Sequence, residues 1–189
     1  MNFKSTIAAV ALTTLPTFAA AWDLDPAESV VSFGLIKNDF IGEAHTFSGL
    51  SGTVDNDGNV DVAIDLTTLD TNIDIRNERM AEHVFRGLAT AEISAEVDLD
   101  EIKKLRPGES TQMEIEATLN LLGNDVDVYL DAYILRVAPN RVMVSTNTAG
   151  YLSTEELGVD EGVDVLQGLE NLDSITRVTP ITLHLMFER

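Results

Sequence analysis

The sequence contains no cysteine in its 189 residues. This absence excludes disulfide bonds, thiolate metal sites and cysteine nucleophiles. Basic residues are also scarce, with 12 Lys and Arg against 32 Asp and Glu, and the formal net charge is −20. A nucleic-acid-binding function is disfavoured, because phosphate contacts need clustered cations. The chemistry of the protein must therefore rest on oxygen and nitrogen groups, or on apolar shape.

No apolar run reaches the roughly 20 residues that are needed to cross a bilayer, so no membrane span is predicted. The first 21 residues are typical of a cleaved signal peptide: Lys4 is positive, residues 7–15 are mostly apolar, and Ala19–Ala21 are small. We expect cleavage after Ala21 and export of the protein. The alternative, a buried first helix, is disfavoured by Pro16. Residues 22–189 then form one domain that is long enough to bury a core.

Alternation of apolar and polar residues is the strongest pattern in the mature chain. Residues 60–66, 113–121 and 126–134 alternate almost without interruption. A period of two is typical of strands with one face in the core and one face in water. With five further candidate runs, eight strands are predicted; the additional runs are 29–36, 45–54, 91–98, 137–147 and 179–187.

The predicted strands are joined by short turns. Asp57-Gly58 and Gly123-Asn124 lie between alternating runs and are typical of tight hairpins, where a positive φ is required. Consecutive hairpins predict an antiparallel meander, which must close into a barrel or pack against a second sheet. A closed barrel of eight strands has room for its own side chains or for one small ligand.

Two segments depart from the strand pattern and predict helices. Residues 74–86 have apolar residues spaced i to i+4, with Asp74 at the start and Gly87 after the end. A second helix is predicted after Gly162, with an apolar stripe formed by Val165, Leu169 and Leu172. We expect both helices to cover the sheet as lids or plugs.

No catalytic or metal-binding motif is found in the sequence. The three histidines, His45, His83 and His184, lack the spacing of metal ligands. No G-x-S-x-G motif marks a serine nucleophile. Paired carboxylates could support glycoside hydrolysis, but in a chain with 32 acidic residues almost any fold brings two of them together, so such a pair does not indicate this activity. The sequence therefore predicts a protein that is not an enzyme and holds no metal or cofactor.

Six of the 12 basic residues form a cluster in this acidic chain. Arg76, Arg79 and His83 have a spacing that places them on one face of the first predicted helix. Next to an apolar cavity, this face could hold an anionic or carbonyl head group. Alternatively, its arginines pair with local acids and attach the helix to the barrel. The six basic residues are Arg76, Arg79, Arg86, Lys103, Lys104 and Arg106, and the local acids are Asp70, Asp74, Glu78 and Glu82.

Several segments resemble the YceI-like family. Residues 22–33 and 45–54 are similar to its first two strands, and residues 175–187 to its closing strand. The most specific similarity is to the family's helix region, in Asp70-Thr71, Arg76-Asn77-Glu78-Arg79-Met80 and Val84-Phe85. The sequence departs from the family pattern in two places: Leu122 replaces a common hairpin histidine, and residues 90–94 replace a strand that begins with proline.

The resemblance implies an all-β, lipocalin-like barrel of eight antiparallel strands in the periplasm. The implied ligand is a long apolar lipid, either a polyisoprenoid or an isoprenoid quinone, and some family members form homodimers. Each buried methylene contributes about 0.8 kcal/mol, so such a chain can bind without specific polar contacts. The expected cavity residues, each equally compatible with ordinary core packing, are Phe33, Phe40, Phe47, Met80, Phe85, Leu130 and Met143.

A second hypothesis is a secreted β-sandwich module that binds carbohydrate or a protein partner through surface aromatics. It requires several exposed aromatic side chains in a row and no internal cavity. The available residues are Trp22, Tyr129, Tyr133 and Tyr151, of which only Tyr129 and Tyr133 share a strand face.

Overall fold

The computed structural model describes residues 22–189, and the predicted signal peptide lies outside the described residues. Twelve strand segments account for most of the secondary structure. In chain order they are β1 Trp22–Leu24, β2 Val30–Lys37, β3 Ile41–Phe47, β4 Leu50–Val54, β5 Asn59–Asp65, β6 Leu69–Asp70, β7 Thr90–Glu96, β8 Ser110–Leu121, β9 Asn124–Ala138, β10 Arg141–Thr146, β11 Gly150–Ser153 and β12 Val178–Glu188.

These segments combine into eight antiparallel strands that close into a barrel. Four of these eight strands are interrupted, and the two halves of each occupy one position in the barrel; the halves are β1 and β2, β3 and β4, β5 and β6, and β10 and β11. Closure occurs at β12, which pairs with β10 and β11 along one edge and with β1 and β2 along the other. The predicted eight-stranded barrel is confirmed, and the β-sandwich is wrong.

The hairpin β8–β9 shows how the alternating sequence produces the barrel wall. Ile115 pairs with Leu130 and Ala117 with Val128; the first three of these line the interior, and Val128 is buried on the same face. The connecting turn needs positive φ at two successive residues, which is typical of a type I′ hairpin; Leu122 has φ 54° and Gly123 has φ 81°. The long hairpin therefore follows directly from the period-two pattern and a two-residue turn.

Three short α-helices lie at the ends of the barrel: α1 Asp74–Arg79, α2 Leu99–Lys104 and α3 Asp160–Leu169. α1 continues into a π-helical turn, Met80–Val84, and the segment ends where Arg86 and Gly87 adopt positive φ. The predicted helix over residues 74–86 is therefore confirmed, with an irregular second half. None of the helices within residues 22–189 is long and apolar enough to cross a membrane.

The predicted apolar stripe of α3 is wrong. Val165 and Leu169 are about half-exposed, whereas Gly162, Val163 and Leu166 form the buried face. Gly162 lies on that face because α3 packs directly on the backbone of the π-helical turn, where no larger side chain fits. Because glycine has no side chain, Gly162 did not contribute to the apolar pattern, and the prediction selected the face of α3 that is exposed.

Helix α2 is absent from the sequence predictions. It has six residues, and the side chain of its N-cap residue Asp98 accepts a hydrogen bond from the backbone N–H of Asp100. Leu99 and Ile102 are buried under the barrel end, beside Trp22, which is 3% exposed. Two apolar residues in a charged segment are too few for a recognisable period. The burial of Trp22 also removes it from the surface aromatics of the sandwich hypothesis.

Candidate functional site

Two cavities lie end to end inside the barrel. The α2-side cavity has a volume of about 90 Å³ and is closed by Trp22, Leu99 and Ile102. The α3-side cavity has a volume of about 150 Å³ and is covered by side chains of the π-helical turn and of α3. Apart from four threonines, every residue that lines the two cavities is apolar; the threonines are Thr146, Thr154, Thr176 and Thr179.

The two cavities meet at a ring of three residues, Val31, Ile93 and Leu183, which line both of them. We call this ring the waist. Val31 of β2 and Leu183 of β12 are directly paired neighbours, whereas Ile93 lies on β7, which pairs with neither strand. An extended apolar chain that occupies both cavities must pass the waist. No sequence signal distinguished these residues from other core positions, since convergence across three strands depends on how the sheet closes.

Five of the seven expected cavity residues line the interior. Phe33, Phe47, Met80 and Phe85 line the α3-side cavity, and Leu130 lines the α2-side cavity. Phe47 contacts both other phenylalanines, with ring centroids 5.4 Å from Phe33 and 5.9 Å from Phe85. These aromatic contacts connect strands β2 and β3 to the helical cover.

Phe40 and Met143 are not cavity residues. Phe40 is 80% exposed, because it lies in the turn between β2 and β3, where Asn38 and Asp39 adopt positive φ and the strand alternation stops. Met143 lies between Val142 and Val144, which both line the α2-side cavity, so its side chain points to the outside of the barrel. Because Val142, Met143 and Val144 are all apolar, the sequence does not show which of them face the interior.

A network of four charged side chains closes the α3 end of the barrel. A carboxylate oxygen of Glu43 lies 3.0 Å from Lys37 Nζ and 2.9 Å from Arg76 Nη1. The carboxylate of Glu170 lies 3.1 Å from Lys37 Nζ and 3.4 Å from Arg76 Nε. The network thus joins the β2–β3 hairpin to α1 and to the residue that follows α3, and its two positive and two negative charges balance.

The structure separates the residues that the sequence placed in one cationic cluster. Arg76 shares the buried face of its helix with Met80 and Val84, while Arg79 and His83 are one position off this face and half-buried. Arg76 pairs with Glu43 and Glu170, not with the expected local acids. The remaining members divide between the two ends of the barrel: Arg86 follows the π-helical turn, and Lys103, Lys104 and Arg106 lie in or just after α2.

His45 is buried on the inner face of β3, 1% exposed. Neither of its ring nitrogens has a hydrogen-bond partner among residues 22–189. Glu43 Oε2 is 3.7 Å from Nε2, which is beyond hydrogen-bond distance, and the Phe33 ring packs at a steep angle with its centroid 5.3 Å away. Burial lowers the pKa of His45 below its ordinary value; Arg76 and Lys37 reinforce this effect, and Glu43 and a weaker backbone contact at Ala44 oppose it.

The barrel, its apolar interior and its helical cover can be compared with known proteins. The family model described as the YceI-like domain matches residues 22–185. The chain belongs to the YceI-like family. No functionally curated protein matches it significantly. The similarity that the sequence showed in its strands and in its helix region therefore reflects family membership.

Three solved structures resemble this YceI-like chain. A polyisoprenoid binding domain from Saccharophagus degradans, implicated in plant cell wall breakdown, has a TM-score of 0.86 and 28% identity, covering 90% of this chain and 99% of that one. Burkholderia cenocepacia BcnA has a TM-score of 0.65 and 16% identity, covering 87% and 99%. The Campylobacter jejuni YceI protein has a TM-score of 0.57 and 14% identity, covering 77% and 84%. The last two show the fold alone.

We expect this YceI-like protein to lose stability as the pH falls below about 6.5, through His45. Because its folded-state pKa lies below the ordinary 6.5, the unfolded chain binds more protons as the pH falls through this range. The loss begins near the unfolded pKa and is complete below the folded one. The charged groups that act on His45 are Glu43, Lys37 and Arg76, and Glu170 is paired with the last two.

Denaturant unfolding at about pH 7.5 and about pH 5.5 measures this effect. In His45→Gln, the decrease in the free energy of unfolding between the two pH values should be smaller than in the wild type. His184→Gln, on the outer face of β12, retains His45 and should retain the wild-type decrease. Equal decreases in the wild type and His45→Gln would show that His45 is not the titrating group.

Proposed function

We propose that this protein binds a long isoprenoid lipid inside its barrel and that its role is not catalytic. The observation that carries the proposal is the interior: two adjoining cavities that extend from α2 to α3 and are lined almost entirely by apolar side chains. A chain of repeated five-carbon units gains free energy from each buried carbon, at about 0.8 kcal/mol per methylene, and needs no polar contact along its length.

The comparisons support the same ligand class. The Saccharophagus degradans domain with the same fold is described as polyisoprenoid binding. The ligand that we propose is therefore a polyisoprenoid, or the isoprenoid tail of a quinone. The helices also support binding, because the larger cavity is covered by side chains of the π-helical turn and of α3 and not by further strands of the barrel.

We also propose that the protein acts in the periplasm. The support is the composition of residues 1–21, with one early positive charge, a short apolar run and small residues before Trp22. The mass of the exported protein tests this directly: the mature chain should begin at Trp22. A mass that includes the first residues would contradict cleavage.

Lipid extraction tests the binding function. Protein purified from the periplasm without detergent is extracted into organic solvent, and the extract is analysed by mass spectrometry. We expect an isoprenoid in amounts comparable to the protein, and native mass spectrometry should show the same mass as an adduct, together with the oligomeric state. Absence of any lipid, combined with no uptake of added octaprenol, would overturn the proposal.

A further inference from the structure

A buried polar side chain, His45, lies next to the α3-side cavity, behind the apolar side chains that line it. His45 lies on the inner face of β3, paired in register with Phe33 of β2. Phe33, Leu35 and Phe47, the neighbours of His45 on this inner face, all line the cavity. At 1% exposure and with two unpaired ring nitrogens, His45 cannot be satisfied by bulk water. A buried polar group in this state is destabilising unless a partner reaches it.

The charges around His45 restrict what that partner can be. Lys37 and Arg76 are each already paired with both Glu43 and Glu170. A phosphate or diphosphate beside these two cations would have to compete with Glu43 and Glu170 for them and would be repelled by the two carboxylates. An uncharged group meets no such penalty, because the network is neutral as a whole.

The hydrogen-bonding capacity of His45 completes the argument. A neutral imidazole has one N–H donor and one nitrogen acceptor. The donor can serve a carbonyl or hydroxyl oxygen, and the acceptor can receive a hydroxyl hydrogen. Burial favours the neutral form of this histidine. The site is therefore suited to an uncharged oxygen at the end of an otherwise apolar molecule.

We propose that His45 anchors the oxygen-bearing end of the lipid, so that the cavity selects isoprenoids with an uncharged oxygen head group over prenyl phosphates. This inference rests on the proposed lipid-binding function. The lipid would lie with its head group against His45, next to the charged network, and with its tail directed past the waist towards α2. The head group would enter beside Phe33, whose ring contacts both the cavity and His45.

Three probes with one chain length test the proposal: geranylgeraniol, geranylgeranyl diphosphate and the corresponding hydrocarbon. Their affinities for the wild type, His45→Leu and His45→Gln are measured by competition with a fluorescent isoprenoid. Loss of one hydrogen bond should weaken geranylgeraniol about three- to tenfold in His45→Leu. The hydrocarbon should bind the wild type and His45→Leu equally, and His45→Gln should retain part of the affinity for the alcohol. The wild type should prefer the alcohol to the diphosphate.

The outcomes separate the two proposals. If the alcohol and the hydrocarbon bind but His45→Leu weakens neither, or if the diphosphate binds most tightly, the head-group inference is overturned and lipid binding stands. If no probe binds the wild type, both proposals are overturned. Nitrogen NMR of the wild-type protein gives a result that does not depend on the variants folding: the ring nitrogens of His45 should shift when geranylgeraniol is added, and unchanged resonances would overturn the inference.

Discussion

Replacing Ile93 with phenylalanine is expected to weaken the binding of octaprenol at least tenfold while changing the binding of farnesol little. Ile93 lines both cavities at the waist, and a larger side chain there obstructs the passage between them. Excluding a single five-carbon unit from the α2-side cavity lowers the binding free energy by up to about 4 kcal/mol, at about 0.8 kcal/mol per carbon. A short chain that fits within one cavity loses nothing. Dissociation constants for both alcohols, measured with the purified protein, check the prediction.

Ser94→Phe provides the matched control for the waist variant. Ser94 is the next residue on β7 and is exposed on the outer face, so the same side chain is added to the same strand without entering the cavity. Denaturant unfolding of both variants separates obstruction from a general loss of structure, since overpacking alone costs about 1–3 kcal/mol. If Ile93→Phe bound octaprenol as tightly as Ser94→Phe does, the lipid could not occupy both cavities.

Gly162→Ala should destabilise the protein by about 2–3 kcal/mol, within the range of overpacked sites. A Cβ atom on Gly162 would lie 2.3 Å from the carbonyl oxygen of His83 and 2.7 Å from Cα of Val84. Both are backbone atoms of the π-helical turn, so no side-chain rotation relieves the contact and α3 must move away. Because Val163 and Leu166 of α3 cover the α3-side cavity, lipid affinity should fall together with the melting temperature.

Gly168→Ala makes the same chemical change on the same helix and should have the opposite effect. Nothing lies within 4 Å of a Cβ atom at Gly168, and the residue is exposed. Replacing an exposed helical glycine with alanine stabilises by up to about 1 kcal/mol. Thermal and denaturant unfolding of the two variants, side by side, check the pair. Equal stabilities would mean that α3 does not rest on the π-helical turn.

The strands were predictable because each carries its own signal. Residues 113–121 and 126–134 alternate in sequence, and they alternate between the core and solvent in the barrel. Prediction failed where the local signal was ambiguous: Val142, Met143 and Val144 are all apolar, and only the pairing of β10 with its neighbours shows which of them face inward. Phe40 was misplaced for a related reason, because the turn at Asn38 and Asp39 interrupts the alternation.

The polar part of the site could not be predicted from local patterns. Arg76 was identified as a head-group candidate, yet its partners, Glu43 and Glu170, lie far away in the sequence. The helical spacing of Arg76, Arg79 and His83 also assumed a regular helix, whereas the π-helical turn changes which side chains share a face. His45 gave no signal beyond being a single histidine in a strand.

Local patterns along the chain were enough to predict the fold class, the number of strands, the position of the first helix and the family. These properties depend on residues close together in the chain, where alternation and turn chemistry act over a few positions. The folded barrel was needed to show that three residues meet at the waist, namely Val31, Ile93 and Leu183. It was also needed to show that four charged residues form one neutral network, namely Lys37, Glu43, Arg76 and Glu170. Barrel closure brings distant strands and helix ends together, and these long-range contacts leave no periodic pattern in the sequence.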